Sequence, residues 1–135
     1  MSTNPNHPDI HKVLFDEGLK VRPNGIKFSR AGQELVTEFC WGYAWTRPGL
    51  ERKQRSLMNN GILMALNRGP ELVVHVRGAI RNGLTETEVR EAILHSTTCT
   101  GVPAGVEGIK ITEKVLNEIA EKGEHVWDLG KKVEL

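Results

Sequence analysis

Cysteine is scarce in this 135-residue chain, which has two, Cys40 and Cys99. They lie too far apart to form a metal or redox motif, and so few thiols exclude a disulfide-stapled scaffold. A reduced, intracellular, cytoplasmic protein is expected. An excess of charge of one sign is also lacking, with 18 basic against 17 acidic residues. No overall field therefore favours nucleic acid or an anionic membrane surface, and any anion recognition must be local. No apolar run approaches the roughly 20 residues of a membrane span, and the opening MSTNPNHPDIHK is polar where a secretory signal would be apolar. Alternating strand patterns are absent. So are a phosphate-cradling Gly-rich loop, a nucleophile elbow and the zinc spacing H-E-x-x-H; Gly101-Val102-Pro103-Ala104-Gly105 fits none of these templates. Nucleotide chemistry and a metal are not expected, although His75, His95 and Glu71 are the residues a metal would have to use.

What the chain does have is helical periodicity broken by Gly and Pro. Residues 1–28 read as a polar arm with a short helix over Ile10 to Lys20 and a turn at Pro23-Asn24-Gly25. A single domain over residues 29–122 follows, then a charged tail over 123–135. Ser29 can cap a helix whose inner face is Leu35, Val36, Phe39, Cys40 and Tyr43 and which ends near Thr46. Arg47-Pro48-Gly49 breaks the pattern. A second helix, from about Leu50 to Asn67, carries Met58, Ile62, Ala65 and Leu66 inward and stops at Arg68-Gly69-Pro70. A third runs from Pro70 to a left-handed cap at Gly83, with Leu72, Val76 and Ala79 inside. Thr85-Glu86-Thr87-Glu88 is a capping box opening a fourth helix, whose Val89, Ala92, Ile93 and Ser96 point inward. Gly101-Val102-Pro103 ends it. The fifth spans about Ala104 to Lys122, with Val106, Ile109, Leu116, Ile119 and Ala120 as its core face. The expected fold is an all-α domain of five or six helices.

Within the third helix His75 falls inside the apolar stripe, and Arg68 and Glu71 lie within about 60° of it around the axis. Two readings stand here: a satisfied core histidine with solvated neighbours, or an imidazole set beside a carboxylate and a cation for acid–base work. A second group, Trp41, Trp45 and Arg47, packs indoles and a guanidinium around a helix end. Indole faces can wall a pocket, and an arginine at its rim binds a carboxylate bidentately. Ordinary aromatic core with a surface arginine is the other reading. Arg52 and Arg55 follow on the next helix. On the fourth, Glu88, His95 and Cys99 recur at spacings that bring them close in angle, a possible polar seam.

The runs WGYAWTRPGLERKQRSL, ALNRGPEL, HVRGAIRNGLTETEVREAILH and GVPAG resemble the carboxymuconolactone decarboxylase family in order and spacing, over about Gln33 to Leu116. The resemblance implies an all-helical, alkylhydroperoxidase D-like fold that works without metal or organic cofactor and assembles as homo-oligomers, dimeric, trimeric or often hexameric. Redox members of the wider group carry Cys-x-x-Cys-x-x-x-His. If His75 matches that histidine, the cysteine positions here are Arg68 and Glu71, and a peroxidase would lack both thiols. The family's substrate is an unsaturated lactone with a ring carboxylate and an acetate arm, and it is its own electron sink: the electrons left by carbon dioxide pass through the ring double bond to the lactone carbonyl.

On that resemblance His75 is the proton donor or oxyanion partner, Glu71 orients or relays for it, and Arg47 anchors a carboxylate. Trp41, Trp45, Arg52, Arg55, Arg77, His95 and Cys99 are the expected substrate-binding residues. Cys99 stands where relatives commonly have a tyrosine, so a phenol donor is missing; a small hydrophobe filling the tyrosine's place is the expected substitute. The expected function is a cofactor-independent decarboxylase of a small carboxylated lactone. The alternatives are a biosynthetic relative acting on a larger aromatic or polyketide-derived compound, and a non-catalytic oligomeric binding module. A small cavity with two arginines would favour the first, and a wide apolar one the second. Val73 and Val74, outside the inner stripe, are candidate subunit contacts.

Overall fold

A computed structural model describes residues 31–32 and 34–124. The Ile10 to Lys20 helix, the turn at Pro23, the Ser29 cap and most of the tail lie outside the described residues. Two structural units divide the chain at Glu51 and Arg52. Five helices are described, α1 (Val36–Ala44) in the first unit and α2 (Arg52–Ala65), α3 (Gly69–Arg81), α4 (Glu86–Thr100) and α5 (Val102–Glu121) in the second. There is no strand among the described residues, in keeping with the all-α expectation.

In the second unit the helix ends follow local chemistry. Thr85 Oγ1 accepts from the Glu88 backbone N–H at 3.1 Å, and the Thr85 N–H donates to Glu88 Oε2 at 2.8 Å, so the expected capping box opens α4. Glu88 is thereby committed to the cap. Three helices end in one way, each with a left-handed residue and a pair of backbone bonds closing back over the last turn. After α3, Gly83 (φ 91) donates to Ile80 and Leu84 to Ala79. After α2, Asn67 (φ 54) takes the glycine's place, with bonds from Asn67 to Met64 and from Arg68 to Leu63. Gly123 ends α5 similarly. Between α4 and α5 stands Gly101 alone, whose φ of 97 turns the chain sharply enough for the next helix to start at Val102.

The core of this unit is Leu72, Val76 and Ala79 of α3 with Val89 and Ile93 of α4, Val115, Leu116 and Ile119 of α5, Leu84 and Met64. The expected stripes of α3 and α4 are buried. That of α5 is buried only at its C-terminal end, and Val106 and Ile109 are exposed. The expected face of α2 is reversed: Met58, Ile62 and Leu66 are exposed, and Ser56, Asn60 and Met64 are buried. Each of the four helices in this unit touches the other three, and where α2 meets α4 and α5 the backbones come close enough that small side chains are favoured over bulky ones. A Cβ on Gly61 would sit 2.7 Å from Ser96 Oγ, and one on Gly108 of α5 would sit 2.5 Å from Met64 Cγ. Ser96 itself donates to the Ala92 carbonyl and Thr97 to that of Ile93, so these hydroxyls enter the packing already satisfied.

Helix directions follow from side-chain contacts. Asn59 meets His75 and Ser56 meets Asn82, so α2 and α3 run antiparallel. Gly69 lies at Ile111 and Arg77 pairs with Glu118, so α3 and α5 run parallel.

In the first unit, α1 is wound as a π-helix, with the Trp45 N–H reaching back five residues to the Cys40 carbonyl at 3.1 Å. Its expected inner face is also reversed. Leu35, Val36, Phe39 and Tyr43 are exposed, and Trp41 and Trp45 are buried. Both faces of this helix are apolar, and the larger indole surfaces are the ones removed from water.

Gly105 is the tightest of these approaches. A Cβ there would lie 2.2 to 2.8 Å from three Thr97 side-chain atoms, on a β-branched residue tied to its own helix. Gly105→Ala is expected to destabilise the protein by about 1–3 kcal/mol, seen as a lower denaturant midpoint with an unchanged slope.

Candidate active site

His75 sits in the middle of α3, where the helix presents its buried stripe of Leu72, Val76 and Ala79, and is itself half-buried. One turn earlier Glu71 is held by Arg68, whose guanidinium lies 3.3 Å from Oε1. The three residues therefore share one side of α3, as the spacing predicted. Burial holds the imidazole below its ordinary value of 6.5, and the Glu71 carboxylate pulls upward without overcoming that effect. At neutral pH the ring is uncharged.

A fourth member comes from α2. Asn59 Nδ2 lies 3.3 Å from His75 Nδ1. Periodicity gave no sign of it, because an asparagine in a helix has neither an apolar stripe nor a motif to mark it. A usable signal was the run Arg52, Arg55, Asn59, which places two guanidiniums and an amide on one face of α2 at three- and four-residue spacing. Arg52 is exposed and Arg55 half-buried. Since α2 and α3 are antiparallel, these arginines lie toward the Asn82 end of the pair, and Arg68 and Glu71 lie toward the other.

Other expected site residues are placed differently. The Arg77 guanidinium is paired with Glu118, and it ties α3 to α5. His95 and Cys99 are both exposed on α4. The Cys99 Sγ lies 3.8 Å from Thr98 Oγ1. No group of three or more His, Cys, Asp or Glu able to hold a metal occurs among the described residues.

Trp41, Trp45 and Arg47 belong to the first unit. The two indoles pack at 5.3 Å between centroids with a 42° tilt. Arg47 donates to the Tyr43 hydroxyl at 2.7 Å and lies 5.0 Å from that ring's centroid, and Tyr43 stacks on Phe39 at 6.1 Å. Phe39 and Tyr43, expected on the inner face, thus form an exposed strip with the Arg47 guanidinium. Burial pushes the Cys40 thiol up, and a side-chain hydrogen bond with Trp45 partly offsets this.

A cavity of about 490 Å³ opens between α4 and α5, walled by Ile93, Leu94, Ile109 and Leu116 with Arg90 and Glu113 among its lining residues. None of the expected site residues lines it. Its apolar walls consequently do not bear on the size of a substrate bound at His75.

An uncharged, half-buried imidazole with a carboxylate one turn away on its own helix and an amide at Nδ1 has the chemistry for acid–base or hydrogen-bond work. The chain belongs to the carboxymuconolactone decarboxylase family, whose profile matches residues 31–114. It is similar to the nitrosuccinic acid decarboxylase of Metarhizium robertsii, 44% identical over 138 residues that cover 93% of this chain and 96% of that protein. It is also similar to the 4-carboxymuconolactone decarboxylase of Acinetobacter baylyi, 37% identical over 99 residues that cover 73% of this chain and 74% of that one.

Because the folded value of His75 is lowered, the unfolded chain binds more protons just below pH 6.5. Its contribution to stability is complete above that pH and is lost as pH falls through the window toward the folded value. Wild type should therefore lose more stability than His75→Gln between pH 7.5 and pH 5.5, measured by denaturant unfolding at the two pH values.

Proposed function

We propose that this protein is a cofactor-independent carboxy-lyase that removes carbon dioxide from a small dicarboxylate in which the departing carboxylate lies beside an electron-withdrawing group. The observation that carries the reading is the uncharged His75 between Glu71 and Asn59, with Arg52 and Arg55 on the facing helix. Breaking the bond to the carboxylate leaves its electron pair on carbon, and that pair must go somewhere. In nitrosuccinate the nitro group on the same carbon takes it as a nitronate. In carboxymuconolactone the ring double bond passes it to the lactone carbonyl. Both acids carry a second carboxylate that survives the reaction, and in both cases one proton added to carbon completes it.

The residues have roles that suit this chemistry. Arg52 and Arg55 hold carboxylates, with Arg55 best placed by its half-buried position one turn from Asn59. His75, neutral at rest, donates a hydrogen bond to the nitronate or dienolate oxygen as charge develops there, and the Glu71 carboxylate one turn earlier raises the basicity of the ring electrostatically. The similarity to the nitrosuccinic acid decarboxylase spans nearly the whole chain, and it favours a nitro-substituted acid over the lactone as first substrate.

Homo-oligomer formation belongs to the same reading, in the cytoplasm. Met58, Ile62 and Leu66 form an exposed apolar stripe on α2, with Leu66 64% exposed, and this stripe is a better subunit contact than Val73, which packs on the core. If so, Ile62→Glu yields a smaller species than wild type in light scattering coupled to gel filtration.

Incubation with nitrosuccinate and, separately, carboxymuconolactone, following carbon dioxide release, tests the activity. His75→Ala should lower kcat by about 100-fold or more, and Arg55→Ala should act mainly on KM. Near-normal turnover by His75→Ala on the better substrate would remove the basis of the mechanism.

A further inference from the structure

His75 has two ring nitrogens, and only one of them can carry the proton of a neutral imidazole. Asn59 Nδ2 faces Nδ1 at 3.3 Å. An amide NH2 group can donate a hydrogen bond and cannot accept one, so Nδ1 is the acceptor and the proton is on Nε2. We propose that Asn59 is a positioning residue that fixes His75 in the Nε2–H tautomer and so aims its one N–H away from α2.

The arrangement around the pair supports this. Glu71, the carboxylate on the histidine's own helix, is engaged by Arg68 at 3.3 Å. A carboxylate at Nδ1 would do the opposite of Asn59: it would hold the proton on Nδ1 and favour the charged ring. An uncharged amide at that nitrogen instead keeps the ring neutral while directing its proton outward. Asn59 is itself half-buried and its neighbour Asn60 is fully buried, so the amide is set on a part of α2 held from within the bundle. This extends the proposed decarboxylase mechanism, in which the neutral imidazole donates to an oxyanion: the donating atom is Nε2, and an acid at position 59 would misdirect it.

The test is nitrogen-15 and proton correlation spectroscopy of the imidazole at pH 7.5 on wild type, Asn59→Asp and Asn59→Leu, with kcat and KM measured on nitrosuccinate. Wild type should show a protonated Nε2 and an acceptor Nδ1. In Asn59→Asp the proton should move to Nδ1, with kcat falling about 10- to 100-fold, the size of loss seen when a residue that orients a functional histidine is changed, and KM little altered. Asn59→Leu, which keeps the side chain's bulk without its polarity, should give a mixture of tautomers in a folded protein. A wild-type spectrum with the proton on Nδ1, or an unchanged tautomer in Asn59→Asp, overturns the assignment whatever the activity. If the tautomers shift as expected while wild type releases no carbon dioxide from either acid, the assignment stands and the decarboxylase reading fails.

Discussion

Close backbone approach among α2, α4 and α5 is the constraint on which the Arg52–Leu135 unit depends. It explains why the buried face of α2 is Ser56, Asn60 and Met64, why Gly61 and Gly108 stand where side chains would collide, and why the meeting surface of α4 is lined with hydroxyls bonded to their own helix. Packing at this distance depends on van der Waals contact over many atoms more than on the burial of a few large side chains. It has a polar cost. Both amide atoms of Asn60 and the Thr112 hydroxyl are buried without a hydrogen-bond partner, an expense of about 1–3 kcal/mol for each group.

The same constraint sets up the candidate site. A helix with a polar inner side can offer an amide to a histidine on its neighbour, where a leucine-faced helix could only bury it. Asn59 meets His75, and one turn along Ser56 meets Asn82. Two polar contacts at successive turns set the register of α2 against α3. His75 gains a partner at Nδ1, and burial, against the upward pull of Glu71, holds the ring below its ordinary value.

Features carried by local chemistry could be read directly from the sequence. The capping box at Thr85, the left-handed Gly83, the break at Gly101 and the apolar stripe of α3 need only neighbouring residues to specify them, and the grouping of Arg68, Glu71 and His75 follows from helical geometry. The faces of α1 and α2 could not be read in this way. Each has apolar residues on both sides, and the choice between them depends on how near the neighbouring elements come, which no periodicity encodes. Arg77 shows a related gap. The family resemblance marked it for substrate, but the pairing with Glu118 depends on α5, some forty residues further along the chain. The family resemblance supplied the fold and the reaction class; Asn59, the contact that determines how the histidine can act, came only from the packing.

Gly101 has a consequence for how the chain reaches this structure. A single residue joins α4 to α5, and Gly105 returns at once to lie against Thr97. Contacts between these helices therefore close very short loops, and the entropy lost in forming them is small. The pairing of α3 with α5 spans a much longer stretch of chain, and it can be reached at lower entropic cost once the α4–α5 hairpin exists. The turn that looks like a minor interruption in the sequence thus makes the C-terminal hairpin the part of the bundle with the least conformational search ahead of it.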